Sequence, residues 1–269
     1  MRFIESRNNP TIKNMTALRD KRERDNKTMF YFEGVHLLEE YLRAGKRPNS
    51  IFVREDVIEK YSELIESAFC EVYKVTESVY DKLSEEKAPQ GIFTVSDFLD
   101  NVYFVGETIS HSEFANKLNG NAIALVDLRD NGNVGTIIRT SAALGCDILL
   151  CGSCADIYSA KTVRATMGAL FTSDIYVCKD TLTAIKALRE CNKRVIATAL
   201  NEKACVLGEF EIKPDDCFLI GNEGQGLSRE VIESCDITCI IPMSGKTESL
   251  NAASAASVLI WDAKRGRVK

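Results

Sequence analysis

The feature that most constrains this chain is a series of short apolar runs in its second half. They are Ala122 to Leu128, Ile148 to Cys151, Ile175 to Cys178, Val195 to Leu200, Cys217 to Ile220 and Ile237 to Ile241, most of them separated by segments of helical periodicity. Runs with so little polar alternation read as strands buried on both faces. Strand alternating with helix predicts an α/β architecture whose parallel sheet is covered on both sides. In such sheets ligands sit beyond the carboxyl ends of the strands, so the loops that follow these runs are where chemistry is expected.

The first hundred residues carry their own alternation. A helix is expected to open at Pro10 and run through Leu18 towards Arg24, followed by the run Met29 to Phe32 and a helix around Leu37, Leu38 and Tyr41. Ile51 to Val53, an amphipathic segment from Val57 to Ile65, Val72 to Val75 and Ile92 to Val95 complete a small α/β/α domain. From Asp97 to Gly120 the pattern weakens. The expected division is therefore a domain over 1–100, a linker over 101–120 and a second domain over 121–269, which suits a chain of 269 residues. With 45% hydrophobic and 27% charged residues, disordered and fibrous classes are excluded.

The 34 basic and 39 acidic side chains leave a net charge of −5, so the molecule lacks the broad positive field of an indiscriminate nucleic-acid coat. Any RNA contact must use a local patch. The candidate is the N-terminal stretch, where Arg2, Arg7, Lys13, Arg19, Lys21, Arg22, Arg24 and Lys27 outnumber Glu5, Asp20, Glu23 and Asp25. Taken alone, such a run is more often a solvated helix face.

Ten cysteines spread through a chain of ordinary domain size argue for reduced thiols rather than a disulfide scaffold. Cys151 and Cys154 have CxxC spacing, but His36 and His111 are the only histidines, and no zinc site is expected. The N-terminal MRFIESRNNP has no apolar signal-like core, and no run is long enough to cross a membrane, so a cytoplasmic protein is expected.

Three loops stand out. The first is Asp130-Asn131-Gly132-Asn133-Val134-Gly135, which opens a helix with Ile137, Ile138 and Ala142 on one face, Arg139 off it and Gly145 at its C-terminal end; Asn133 is the expected N-cap. The second is Gly221-Asn222-Glu223-Gly224-Gln225-Gly226. Its glycine order is GxxGxG rather than GxGxxG, and an acidic residue sits inside the turn where it would repel phosphate, so a dinucleotide is disfavoured and a cationic or zwitterionic ligand fits better. The third runs from Ile241-Pro242-Met243 to Ser249-Leu250-Asn251. It precedes a helix of small residues, Ala252 to Ser257, which Ser249 or Asn251 would cap.

Together these loops resemble the signature motifs of the SpoU (TrmH) family of RNA ribose methyltransferases, within the SPOUT superfamily. Asn133, Gly135 and Arg139 match the first motif, Leu219 to Ser228 with Glu223 the second, and Ile241 to Met243 with Ser249 to Asn251 the third. Lys161 to Gly168 looks like a further family segment. One departure is Asn131, where many members carry proline. Asn9-Pro10 with Lys13, Phe32-Glu33-Gly34 and Pro89-Gln90-Gly91 resemble the ribosomal-protein-like substrate domain of rRNA-directed members.

The resemblance implies a trefoil-knotted C-terminal domain, a homodimer, S-adenosylmethionine as methyl donor, no metal, and an RNA ribose 2′-hydroxyl as acceptor. Large-subunit rRNA is preferred and tRNA is the alternative. It implies that Arg139, Asn133, Glu223, Ser249 and Asn251 form the catalytic site. It places the cofactor against Thr198, Ala199, Leu200, Gly221, Asn222, Gly226, Ile241, Met243 and Leu250, and RNA against Lys13, Lys21, Arg22 and Arg24. A guanidinium is almost never deprotonated, so Arg139 suits alkoxide stabilisation or phosphate binding better than literal base chemistry. A non-catalytic RNA-binding protein of the same fold is the competing reading, and a dinucleotide-dependent oxidoreductase is a weaker one.

Overall fold

The computed structural model describes residues 1–200, 204–245 and 249–265. In chain order the elements are β1 (Arg2–Ile4), α1 (Pro10–Ala17), α2 (Lys21–Lys27), β2 (Met29–Glu33), α3 (Val35–Arg43), β3 (Ser50–Arg54), α4 (Ser62–Ser67), β4 (Glu71–Val75), α5 (Glu77–Leu83) and β5 (Ile92–Asp97). There follow β6 (Val102–Phe104), α6 (His111–Lys117), β7 (Ala122–Val126), α7 (Asn131–Leu144), β8 (Asp147–Cys151), α8 (Ala160–Thr166), β9 (Ile175–Cys178) and α9 (Thr181–Glu190). The chain continues with β10 (Val195–Thr198), β11 (Cys205–Val206), β12 (Cys217–Ile220), α10 (Arg229–Ser234), β13 (Ile237–Ile240) and α11 (Ala252–Lys264). Among the described residues no helix is long and apolar enough to cross a membrane.

The chain folds as two compact units. The first joins Met1–Leu99 to Asp156–Thr172, a segment drawn from the second half of the sequence. Its five-stranded sheet has the order β1-β4-β3-β5-β2, with β5 antiparallel to both of its neighbours. Strand β2 shows why the later segment belongs here. On one face Tyr31 stacks on Phe93 at 4.8 Å; on the other, Phe30 meets Tyr158 at 5.0 Å and Phe32 meets Phe171 at 5.2 Å. Aromatic rings of this size must be buried on both faces of the strand, and residues 156–172 supply the cover. Phe98 also stacks on Tyr158 at 4.0 Å, and the Leu99 N–H donates to the Tyr158 hydroxyl at 3.0 Å.

The single helix expected towards Arg24 is two helices. Asp20 ends the first stretch because its carboxylate accepts from the Arg22 N–H at 2.7 Å and caps α2.

The second unit joins Asp100–Ala155 to the chain from Ser173 onward. Its sheet has the order β11-β13-β10-β12-β7-β8-β9-β6, and every pairing is parallel, as the apolar runs predict. The 101–120 stretch is part of this unit, not a linker. β6 pairs with β9 at the sheet edge, and α6 begins in a capping box of Ser110 and Glu113. A three-residue strand is too short for periodicity to reveal.

Ala252, Ala253 and Ala256 of α11 are buried, and α11 packs against α7. The small side chains let these two helices approach closely.

Candidate active site

The carboxyl ends of β7, β10, β12 and β13 deliver the predicted loops. Beyond β7, α7 begins at Asn131 with Asp130 as N-cap, its carboxylate accepting from the Asn133 N–H at 2.8 Å. The cap thus lies three residues earlier than the expected Asn133, and the Asn133 side chain is released for other partners. The helix ends, as predicted, at Gly145 in the left-handed conformation, φ 67°. Asn131 occupies the first helical position, a place where proline is also tolerated.

At the start of α11, Asn251 is the N-cap. Its Oδ1 accepts from the Ala253 and Ser254 N–H groups at 2.9 and 3.3 Å. That leaves Nδ2 to donate, and it does so to Asn133 Oδ1 at 3.0 Å. Asn133 then has only Nδ2 to offer, and it donates to Glu223 Oε1 at 3.1 Å. A carboxylate, which only accepts, is the appropriate end of such a chain. The polarity of the network runs from the helix cap through two amides to an acid on the loop after β12.

That loop is closed on itself. Asn222 and Gly226 exchange backbone hydrogen bonds at 3.2 and 2.9 Å, and Asn222 Oδ1 accepts from Gly224 and Gln225 N–H at 2.9 and 3.3 Å. Gly221 is required by close approach: a Cβ there would stand 2.3 Å from the Gly226 carbonyl carbon and 2.4 Å from the Leu227 nitrogen.

The expected cofactor residues gather at the same strand ends. Thr198 Oγ1 donates to the Leu219 carbonyl at 2.7 Å, and the Ala199 N–H to the Cys239 carbonyl at 3.2 Å, which ties the end of β10 to β12 and β13. Leu200, Met243 and Leu250 are 83%, 38% and 41% exposed, and Ile241 is half-buried.

Two expected catalytic residues stand apart from the amide chain. Arg139 is exposed on α7, six residues beyond Asn133, and Ser249 is exposed; among the described residues neither has a hydrogen bond to the others. Asp130 was missed by the sequence reading, although an aspartate just before an Asn-Gly-Asn turn is itself an N-cap signal.

In the first unit, Lys13 and Arg22 are exposed, while Lys21 is exposed and paired with Asp25 at 2.8 Å. Arg24 is not part of an RNA-facing surface. It is buried, donating to the Leu18 and Arg19 carbonyls at 2.6 and 2.8 Å and pairing with Asp156 at 2.5 Å. The Nη1 and Nη2 groups are matched, Nε has no partner among the described residues, and the guanidinium fastens residues 156–172 to α2.

The CxxC thiols serve packing. Cys154 donates to the Leu125 and Cys151 carbonyls, and burial pushes its pKa up to about 11 and that of Cys151 well above the ordinary thiol value.

Residues 120–261 match the SpoU rRNA Methylase family, and residues 9–94 match an MRM3-like substrate binding domain. The chain belongs to the SpoU rRNA methylase family. It is 30% identical over 97% of its length to the 23S rRNA (guanosine(2553)-2′-O)-methyltransferase RlmP of Bacillus subtilis (strain 168), covering 98% of that protein. It is also 34% identical over 142 residues to the 23S rRNA (uridine(2479)-2′-O)-methyltransferase of Streptomyces viridochromogenes, about half of each chain. Among solved structures, the AdoMet-bound rRNA methyltransferase from Sinorhizobium meliloti superposes with a TM-score of 0.85 at 27% identity, covering 100% of this chain and 99% of that one.

Proposed function

We infer that this protein transfers a methyl group from S-adenosylmethionine to a ribose 2′-hydroxyl of large-subunit rRNA. The observation that carries the reading is the Asn251–Asn133–Glu223 chain, which joins all three family motifs through their side chains. The match to rRNA-directed relatives over both units supports it.

Bound S-adenosylmethionine supplies an electrophilic methyl on a sulfonium. Thr198, Ala199, Leu200, Gly221, Asn222, Gly226, Ile241, Met243 and Leu250 would hold it, with Leu200, Met243 and Leu250 giving apolar surface and the 221–226 turn giving backbone polar groups. A ribose hydroxyl is a poor nucleophile, so its orientation and the stabilisation of the developing alkoxide decide the rate. Asn133, held between Asn251 and Glu223, is a fixed group that orients the ribose. Arg139, free of ion pairs among the described residues, is the cation available to the alkoxide or the neighbouring phosphate. Ser249 adds a hydroxyl beside Asn251. Lys13, Lys21 and Arg22 are the RNA-contacting cations of the first unit.

The same reading includes a trefoil knot, a cytoplasmic location and a homodimer. Val258 and Trp261 on α11, 40% and 57% exposed, offer apolar surface for the second copy. Sedimentation at micromolar concentration tests the dimer.

The deciding experiment is a ribose-methylation map of all RNAs from cells with and without the protein, together with transfer of labelled methyl to purified rRNA. One rRNA position that depends on the protein is the expected result. Dependence at a tRNA position would replace the substrate, and no dependence at any position would favour the non-catalytic RNA-binding reading.

A further inference from the structure

Asp127, the first residue after β7, has a conformation that nothing else in the site explains. Its φ is +53°, in the left-handed region that few residues other than glycine adopt, with asparagine and aspartate the usual exceptions. Three hydrogen bonds hold it there. Its N–H donates to the Cys151 carbonyl at 3.0 Å, its Oδ1 accepts from the Ser153 N–H at 2.7 Å, and its carbonyl accepts from Asn222 Nδ2 at 2.9 Å. These partners lie just beyond or at the ends of β8 and β12, the two strands flanking β7 in the sheet.

The space around the carboxylate is closed. Gly152 has a φ of +68°, and a Cβ on it would stand 2.5 Å from Asp127 Oδ1. The turn after β8 therefore has no side chain where the carboxylate sits, and it points a backbone N–H at it.

The consequence reaches the site through Asn222. Its Nδ2 is committed to the Asp127 carbonyl, which leaves its Oδ1 facing the Gly224 and Gln225 N–H groups, and those bonds shape the turn that carries Glu223. Glu223 in turn receives Asn133. A normal extended residue after β7 would aim its carbonyl elsewhere and leave Asn222 Nδ2 without that acceptor.

We propose that Asp127 is a positioning residue for methyl transfer: its carboxylate, bonded to the Ser153 N–H, fixes the left-handed turn whose carbonyl orients Asn222 and hence Glu223. This rests on the functional reading above. The role needs an acceptor oxygen and tolerance of positive φ rather than charge, so asparagine should replace aspartate, whereas glycine keeps the backbone freedom but loses the acceptor.

The test compares full-length wild type with Asp127→Asn and Asp127→Gly. Single-turnover methyl transfer at saturating rRNA should stay within about threefold for Asp127→Asn and fall about tenfold or more for Asp127→Gly, with RNA affinity unchanged in both. Hydrogen exchange of the peptide over 221–227 should be as slow as wild type in Asp127→Asn and faster in Asp127→Gly, while the first unit exchanges normally. An Asp127→Gly protein with wild-type rate and loop protection overturns the proposal, and so does an Asp127→Asn protein as defective as the glycine variant. If wild type itself transfers no methyl group, the functional reading fails, and the exchange comparison alone still decides whether Asp127 holds the turn.

Discussion

Asn251 Nδ2 donates to Asn133 Oδ1 at 3.0 Å although the two residues are 118 positions apart in sequence. Because Asn251 spends its oxygen on the cap of α11, the direction of this bond is fixed, and with it the direction of the next one from Asn133 to Glu223.

That fixed direction makes Asn133→Asp informative. The substitution keeps the acceptor for Asn251 but turns the atom facing Glu223 from a donor into a carboxylate oxygen. Two acceptors 3.1 Å apart repel, and the Glu223 loop should move. Methyl transfer should fall by about a hundredfold, in line with a displacement of about 1 Å at a reacting centre. Single-turnover kinetics with thermal melting measures this, and a wild-type melting curve is expected because the site is exposed.

Arg139→Ala should cut the transfer rate by about a hundredfold or more while leaving S-adenosylmethionine affinity unchanged, the pattern of a contact made mainly in the transition state. Its exposure on α7 means that the fold should tolerate the change. Arg139→Lys should rescue poorly because the planar fork is lost. A defect cured entirely by more RNA would recast Arg139 as a phosphate contact.

Gly221→Ala should open the turn after β12. The added methyl meets the backbone of the Gly226–Leu227 peptide, so the turn rather than a flexible side chain must give way. Overpacking of this kind costs about 1–3 kcal/mol, and if it falls on the bound turn the cofactor affinity by calorimetry should drop by about 5- to 150-fold.

Glu33 gives a pH signature to the first unit. Burial is the main cause that raises its pKa above the ordinary 4.5, with the Ser84 hydroxyl and the Glu85 N–H acting against it. The folded state therefore holds this proton more tightly than the unfolded chain does. Stability from Glu33 is fully present below the ordinary carboxyl value and is lost as pH rises through the raised one. Glu33→Gln keeps the uncharged state at every pH. Melting temperatures over about pH 4 to 8 should show a smaller decline with rising pH in the variant than in wild type.

Arg24 and its neighbours separate structure from binding. Arg24→Met leaves Asp156 with its partner removed and should destabilise the protein by about 3–5 kcal/mol in denaturant unfolding. Lys21→Glu with Arg22→Glu, both exposed, should leave stability unchanged, weaken RNA binding and flatten its salt dependence. An unchanged salt slope would return these two to a solvated helix face.

The parallel sheet was legible because β7, β8, β9, β10 and β12 are largely buried on both faces and so write themselves as apolar runs, while β13, with Cys239 alone fully buried, still carries apolar residues at three of its four positions. The loops were legible because their residue types match a known family in order. β6 and β11, three and two residues long, left no pattern, and the break between α1 and α2 rested on one capping aspartate inside a basic run.

By itself, then, the sequence determined the strand-and-helix alternation, the family and the residue types of the site, since burial pattern and loop chemistry are local properties. Only the tertiary structure decided partners. It turned Arg24 inward to Asp156, gave residues 156–172 to the first unit under Phe30 and Phe32, and buried the alanines of α11 against α7. It also joined Asn251, Asn133 and Glu223 into one hydrogen-bonded chain. A hydrogen bond across about a hundred residues has no counterpart in local periodicity, because its direction depends on which atoms the helix cap and the closed turn have already used.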